Sequence, residues 1–524
     1  MNSELTWFAS SAVVALIVAA LVRQRGYSMA LPVMGVGVVI SILPFGPDAP
    51  PDPGLVLIVV LAPLVFGEAL GSSYLDIRRV RKQVVYLAVG LVLLTTFVVG
   101  FIAHAMVGMP VALACALGAV LAPTDAVAVS SIARKVGLPR WAVSILEGES
   151  LVNDGTGLTC LRVAVVAATA GTITIAEVGV VFVLAVAVGI GVGLLGGWLL
   201  SWTIAHSNDA IAANSLTLIA PFFLYYGAEK FEGSGILAVV VAALYVAHSS
   251  TSDPRQESRL DGVALWRHVT FVLKALAFFL VGIEVPDTFN LLTTQEQEQV
   301  GMLVVAIVLA LIVTRIVFVT GMMGLTSARG REEWRVVIVA AWSGARGPVS
   351  GMAAFTIPLT LDSGQALPFR NLILATTFGV IVVTLLLSST MGPLARLLKV
   401  PPADDSEIII RVDIALAHAA AAQLEEAIEQ SALQGDPLPR AVVEPLKRAV
   451  ELRLQEFEET EATVEDHSHQ GLDLAKLMLR AEQEELLRIR TDEGLPDGIV
   501  RPMLEQLEIR RLALETHGEG AGHS

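Results

Sequence analysis

Apolar residues along the chain fall in blocks, separated by short breaks rich in Gly, Pro and charge. A helix needs roughly 20 apolar residues to cross a bilayer, and blocks of this kind recur up to about residue 398. Thirteen segments can be drawn, at roughly 4–22, 27–45, 54–73, 84–108, 110–133, 141–169, 174–205, 211–227, 234–249, 264–284, 299–325, 336–360 and 371–395. The pattern predicts an all-α polytopic membrane protein with about 13 transmembrane helices. After residue 400 the period changes. PPADDSE closes the last block, and four amphipathic stretches follow, beginning at VDIALAH, PRAVVEP, GLDLAKL and IVRPMLE. The chain therefore reads as a transmembrane domain over 1–398 and an acidic helical tail over 399–524.

Composition agrees with this division. Hydrophobic residues make up 54% of the chain and charged ones 16%, against about 25% charged in a soluble protein. From Lys399 onward, 13 Lys and Arg face 27 Asp and Glu, which is −14 of the total −15. The tail carries almost all of the net charge. Loops assigned to one side of the membrane hold 17 basic residues and those on the other hold only Lys230 and Arg370. The positive-inside rule then puts the N-terminus outside and the tail in the cytoplasm of a cell (inner) membrane protein. An even number of spans would break that alternation. Cys115 and Cys160 both lie in apolar segments, so neither a disulfide framework nor a zinc site is suggested. No cleavable signal peptide is expected, because the first apolar block has no basic start. The tail reads as a solvated helical domain, to which a regulatory or dimer-supporting role is assigned. Its His467 and His469 are a weak candidate for metal binding.

Charges inside the apolar blocks change the picture most. Ionisable groups at bilayer depth are costly unless paired or hydrated, and so mark function. Here they are Glu68, Asp125, Glu147, Glu149, Asp154, Arg162, Lys274, Arg315 and Arg346. In EGESLVNDGTG, residues 147–157, helical spacing puts Glu149, Ser150, Asn153 and Asp154 on one side, within an arc of about 140°. Asp154 sits after roughly 20 Å of rise from the start of its span, near mid-membrane. In the fifth block Pro123 removes a helical hydrogen bond, so the helix should break between Ala122 and Asp125. Unwound backbone survives in a membrane only when buried in protein or lining a cavity. The carbonyls freed around Pro123 and Thr124, with Asp125, offer hard oxygen ligands suited to a dehydrated alkali cation. The twelfth block has a counterpart, AAWSGARGPVSG, with Gly344, Gly347 and Pro348 around Arg346. Two interrupted spans, one per half, are the mark of inverted-repeat transporters with midplane sites. Arg346 needs a counter-charge, and Glu149 is the candidate. Lys274 and Arg315 are expected to pair within the bundle, and Arg162 to snorkel to the outer interface.

Three motifs in register, APTD at 122–125, GESLVND at 148–154 and GARG at 344–347, resemble the signatures of the monovalent cation:proton antiporter-1 family. That family includes NhaP-type Na+/H+ antiporters and the sodium/proton exchangers. FEGSGILAVVVAALYVAH (231–248) and FFLVGIEV (278–285) extend the likeness across the membrane part. The resemblance implies the NhaA/NapA-like antiporter fold, a homodimer with a mobile core domain and a dimerisation domain in each protomer. It implies that Asp154 binds cation or proton, with Asn153, Thr124, Asp125, Ser150 and Glu68 as further ion-site residues. Glu149 and Arg346 match a structural ion pair. Asn153 stands where electrogenic relatives have a second aspartate, which implies electroneutral exchange of one Na+, Li+ or K+ for one H+. A K+-selective antiporter is the alternative. The tail has no counterpart in this resemblance, and Glu147 has no assigned role.

Rival classes fare worse. A cation channel would show rings of charge or a filter loop, and neither is visible. An intramembrane protease could use two buried aspartates, but no HExxH or GxSxG accompanies them. No cofactor and no nucleic-acid partner are expected beside the ions and the bilayer.

Overall fold

The computed structural model describes residues 2–25, 27–43, 57–125, 138–169, 175–207, 209–250, 256–326, 334–342, 344–361, 364–400 and 406–433, with short pieces between 439 and 448. The chain divides into two compact units, Met1–Val400 and Pro401–Ser524. The described residues of the first unit are almost entirely helical, and the β pairing among them is an isolated bridge between Thr360 and Ala366. Helices long and apolar enough to cross a membrane are Arg81–Val107, Arg140–Thr169, Gly179–His206, Ile211–Lys230, Ala264–Asn290, Thr294–Met322 and Arg370–Leu397. Shorter apolar helices are Ser10–Gln24, Ala30–Ile42, Leu57–Leu70, Val111–Leu121 and Gly235–Ser249. This is a multi-pass membrane protein.

The short helices have local causes. Val111–Leu121 stops just ahead of Pro123, as loss of the proline N–H requires. Ala122–Asp125 then runs without helix. The other interruption is fully described on both sides. Trp334–Trp342 ends, Gly344–Gly347 is non-helical, and Pro348 opens the helix Pro348–Phe355. A proline suits the first helical position because its missing N–H has no partner to lose. The two breaks touch: the Asp125 N–H donates to the Ala345 carbonyl at 2.8 Å. One unwound piece thus satisfies part of the other's backbone.

Around this crossing the packing is dense. Leu117, Leu121, Phe279, Met352 and Phe378 are fully buried. Ala30–Ile42 lies close against Gln256–Asn290, where Gly37 and Gly282 meet backbone to backbone. A Cβ on Gly37 would stand 2.9 Å from Gly282 Cα. Membrane helices lack a hydrophobic drive to associate, so such close approach supplies the van der Waals contact instead. At the periphery, Val180, Val183, Leu195 and Trp198 of Ile175–His206 are exposed, a face suited to lipid chains.

One stripe of Gln256–Asn290 sets the position of a charged side chain. Trp266, Thr270 and Lys274 recur every four residues and share a face. That face meets Leu57–Leu70: the Trp266 ring lies 5.1 Å from Phe66, and both Trp266 and Thr270 crowd Gly67. Trp266 is itself anchored by its Nε1–H, which donates to Thr217 Oγ1 at 2.9 Å. Residues 68 and 274 are brought together by these contacts.

In the second unit, Ser406–Leu433 is one helix. Gln423 and Gln430 both donate to Glu426 along its surface. The remaining expected tail helices, apart from short helical pieces between 443 and 448, lie outside the described residues, as do His467 and His469.

Candidate functional site

Arg140–Thr169 runs unbroken past the crossing and carries Glu149, Ser150, Asn153 and Asp154, all buried. Three of the four fasten the first break. Ser150 Oγ donates to the Thr124 carbonyl at 2.6 Å, and Asn153 Nδ2 donates to Thr124 Oγ1 at 3.0 Å. Thr124 Oγ1 in turn donates to Glu149 Oε1 at 3.2 Å. Thr124 is therefore held by its carbonyl and by both roles of its hydroxyl. The carbonyl freed by Pro123's break, expected as an ion ligand, already accepts one hydrogen bond. Its second lone pair is the part left for an ion.

Glu149 is gripped from the other side by Arg315, whose two terminal nitrogens donate to its two oxygens at 2.5 and 2.8 Å. This corrects the expected Glu149–Arg346 pair. Arg346 is buried, yet it turns to backbone: its Nε–H donates to the Leu121 carbonyl at 2.9 Å and its Nη1 to the Gly344 carbonyl. The physical reason lies in the breaks. Helix Val111–Leu121 ends here, and the last carbonyls of a helix have no internal partner and carry the negative end of its dipole; the Gly344 carbonyl lies in the second unwound stretch and likewise has no helical partner. A guanidinium between two such carbonyls needs no carboxylate within bonding distance. Arg315 takes Glu149 instead. Its Nε finds no acceptor among the described residues.

Between the breaks opens a cavity lined by Glu68, Pro123, Thr124, Asp125, Ser150, Asp154, Lys274 and Gly347–Ser350, with Leu64. Asp125 faces the start of Pro348–Phe355, and a Cβ on Gly347 would come within 2.8 Å of its carboxylate oxygen. The N-terminal end of a helix favours negative charge, and Asp125 stands beside one. Glu68 reaches in from Leu57–Leu70 and accepts from Lys274 Nζ at 2.8 Å. Carboxylate, hydroxyl and carbonyl oxygens make a hard donor set, suited to alkali cations and not to soft metals. Among the described residues, no three His, Cys, Asp or Glu converge into a ready multivalent metal cluster.

The cavity gathers Asp154, Asp125, Thr124, Ser150 and Glu68, while Asn153 acts one step back through Thr124. Two polar side chains of the lining lie beyond the site as the sequence draws it. Lys274 is expected there only to pair within the bundle. Ser350, whose buried Oγ has no partner among the described residues, is not singled out at all. Its signal is its place three residues beyond Gly347, in the first turn after the second break. Arg162 binds Glu229 Oε2 at 3.1 Å and the Gly233 carbonyl at 2.9 Å, at the end of Ala210–Lys230 and the turn after it.

Known proteins share this fold. The solved structure of the sodium proton antiporter MjNhaP1 from Methanocaldococcus jannaschii superposes with a TM-score of 0.63 at 19% identity, covering 75% of this chain and 98% of that one. A sodium, potassium, lithium and rubidium/H+ antiporter of Bacillus pumilus is 32% identical over 76% of this chain, and the match spans 61% of that relative's length. An uncharacterised Na+/H+ exchanger of Mycobacterium bovis is 34% identical over 73% of this chain and 72% of its own. The model of the transmembrane sodium/hydrogen exchanger family matches residues 10–397, and by that match the chain belongs to this family.

Proposed function

We propose that the chain exchanges a monovalent cation for a proton across the cell (inner) membrane, with Asp154 binding either one. The supporting observation is the convergence of Asp154, Asp125 and Glu68 on one cavity between two helix breaks. A buried carboxylate is costly when ionised and empty. It is relieved equally by a proton or by a dehydrated cation, and both cannot occupy it at once. If the core crosses only when Asp154 is neutralised, the empty carrier is trapped and exchange is obligatory. Alternating access is then a rigid-body movement around the breaks.

Charge arithmetic favours one-for-one exchange. Glu68, Asp125, Glu149 and Asp154 bring four negative charges to the crossing, and Lys274, Arg315 and Arg346 bring three positive ones. One monovalent cation or one proton balances the remainder. Asn153, uncharged and tied to Thr124, adds nothing to the count. The Bacillus relative's name covers sodium, potassium, lithium and rubidium, so the cation range assigned here is Na+, Li+ and K+.

The basic loops support an orientation with the N-terminus outside and the acidic tail in the cytoplasm, where the tail has a regulatory role. The protein works as a homodimer. The deciding experiment is dequenching of an internal pH dye in proteoliposomes as Na+, Li+ and K+ are added in turn. Cation-dependent proton flux is expected from the wild type and none from Asp154→Asn purified in equal, folded yield. Flux in that variant would refute the role given to Asp154. A current carried without any counter-ion would mark a channel.

A further inference from the structure

We propose that Lys274 is a tethered cation that competes with the transported ion for the Glu68 carboxylate, and so sets the cation affinity of the cavity. The inference rests on the antiport reading and assigns a residue within that same site.

The contrast between two ion pairs carries it. Glu149 and Arg315 make a forked pair through two hydrogen bonds, with side chains only 2% and 5% exposed, and line a different cavity. A planar guanidinium fork of that kind is a fixed brace. Glu68 and Lys274 make a single contact at 2.8 Å, with side chains 15% and 9% exposed, and both line the ion cavity. A lysine ammonium is a compact point charge on a flexible stem with rotatable donors. It carries the same charge as an alkali ion and satisfies the same carboxylate. Two Glu68–Lys274 states are therefore close in chemistry: the carboxylate holding Nζ, or holding the incoming ion while Nζ withdraws along the cavity.

The surroundings explain why such a competitor is needed. The titratable groups lining the cavity are Glu68, Asp125, Asp154 and Lys274, drawn from three helices and the first break. Without Lys274, three carboxylates would face one monovalent ion, and a site that binds too tightly releases slowly. The ammonium keeps one carboxylate occupied whenever the ion is absent. Backbone packing fixes where it sits, since Trp266 and Thr270 on the same stripe lock the helix against Phe66 and Gly67. The tip stays free to move while its base does not.

The test uses full-length protein in proteoliposomes, with cation concentration varied for wild type, Lys274→Gln, Lys274→Arg, Glu68→Gln and the double variant Glu68→Gln/Lys274→Gln. Lys274→Gln should lower the cation concentration for half-maximal exchange by about tenfold, the scale on which removing one nearby charge acts. Turnover should fall with it, while Lys274→Arg, whose guanidinium can hold Glu68 as a fixed fork, should raise the half-maximal value above that of the wild type. Glu68→Gln should raise that value, because the ammonium is then unpaired beside the site. The double variant should bring it back down. An unchanged half-maximal concentration in Lys274→Gln, with only yield or turnover reduced, would overturn the proposal and leave a packing brace. If Lys274→Gln does not fold, the comparison of Glu68→Gln with the charge-balanced double variant decides: equal half-maximal values overturn the proposal. Failure of the wild type to exchange any cation would strike the antiport reading instead.

Discussion

Glu149 is bound through both oxygens to Arg315, at 2.5 and 2.8 Å, while Arg346, expected as its partner, sits on the carbonyls of Leu121 and Gly344. The two arginines therefore do different jobs. One compensates a buried carboxylate, and the other binds the last carbonyl of Val111–Leu121 and a carbonyl of the second break. Removing Arg315 leaves Glu149 charged and dry, and breaking a buried pair on one side costs about 3–5 kcal/mol. Arg315→Met should lower the melting temperature of the purified protein sharply. The double variant Arg315→Met/Glu149→Gln should recover part of that loss. A melting temperature unmoved by Arg315→Met would mean that water or another cation reaches Glu149.

Thr124 offers a cleaner dissection, because its hydroxyl both donates to Glu149 and accepts from Asn153. Thr124→Val keeps the shape and removes two hydrogen bonds, leaving Asn153 Nδ2 without this acceptor. An orphaned buried polar group costs about 1–3 kcal/mol. Thr124→Ser retains the hydroxyl and should stay within about 1 kcal/mol of wild type by the same reasoning. Thermal unfolding of both variants, side by side, checks this. Equal losses would show that the methyl group, and not the hydroxyl, holds the break.

Much of this site is legible in the sequence because its elements follow one-dimensional rules. Pro123 has to stop a helix, and Gly344–Pro348 has to interrupt another. The spacing of Glu149, Ser150, Asn153 and Asp154 has to put them on one side of an unbroken helix. Partner choice is not legible in the same way. The sequence points Glu149 at Arg346 and leaves Arg315 without a named partner, and the choice reverses only once Arg346 is seen on the carbonyls of Leu121 and Gly344. Helix ends supply charge that no residue letter records. The Glu68–Lys274 pair is half visible: Lys274 needs some partner. Which carboxylate it meets depends on how Trp266 and Thr270 dock on Gly67, a tertiary fact.

Gly347 marks a close approach of the second break to Asp125. A Cβ there would stand 2.7 Å from Asp125 Cβ and 2.8 Å from its Oδ2, distances that force one of the two to move. The Asp125 backbone is pinned by its N–H bond to Ala345, so its side chain is the part displaced. Gly347→Ala should therefore reduce exchange at least about tenfold, as small misplacements of a reacting or binding group do. Its cost in stability should stay within the roughly 1–3 kcal/mol of an overpacked site. Proton flux and melting temperature measured on the same preparation separate the two effects. Wild-type flux from this variant would place Asp125 outside the ion's path.

Arg162 and Glu229 form a far more open pair than Arg315 and Glu149, and the contrast in burial predicts a contrast in energy. Their side chains are 33% and 36% exposed, so water screens the charges and the pair is worth about 0–1 kcal/mol. Each partner also has other bonds: Arg162 donates to the Gly233 carbonyl, and Glu229 accepts from the Gly235 N–H. Arg162→Gln keeps a donor for the carbonyl and should shift the melting temperature little. Glu229→Gln keeps an acceptor for Gly235 and should behave alike, and the double variant should show a coupling below about 1 kcal/mol. These two residues also line a cavity apart from Asp154, with Tyr225 and Ser234, so the cation concentration for half-maximal exchange should hold steady in all three variants. A loss of stability as large as that of Arg315→Met would show that this pair is as dry as the inner one, and that the bundle closes over it.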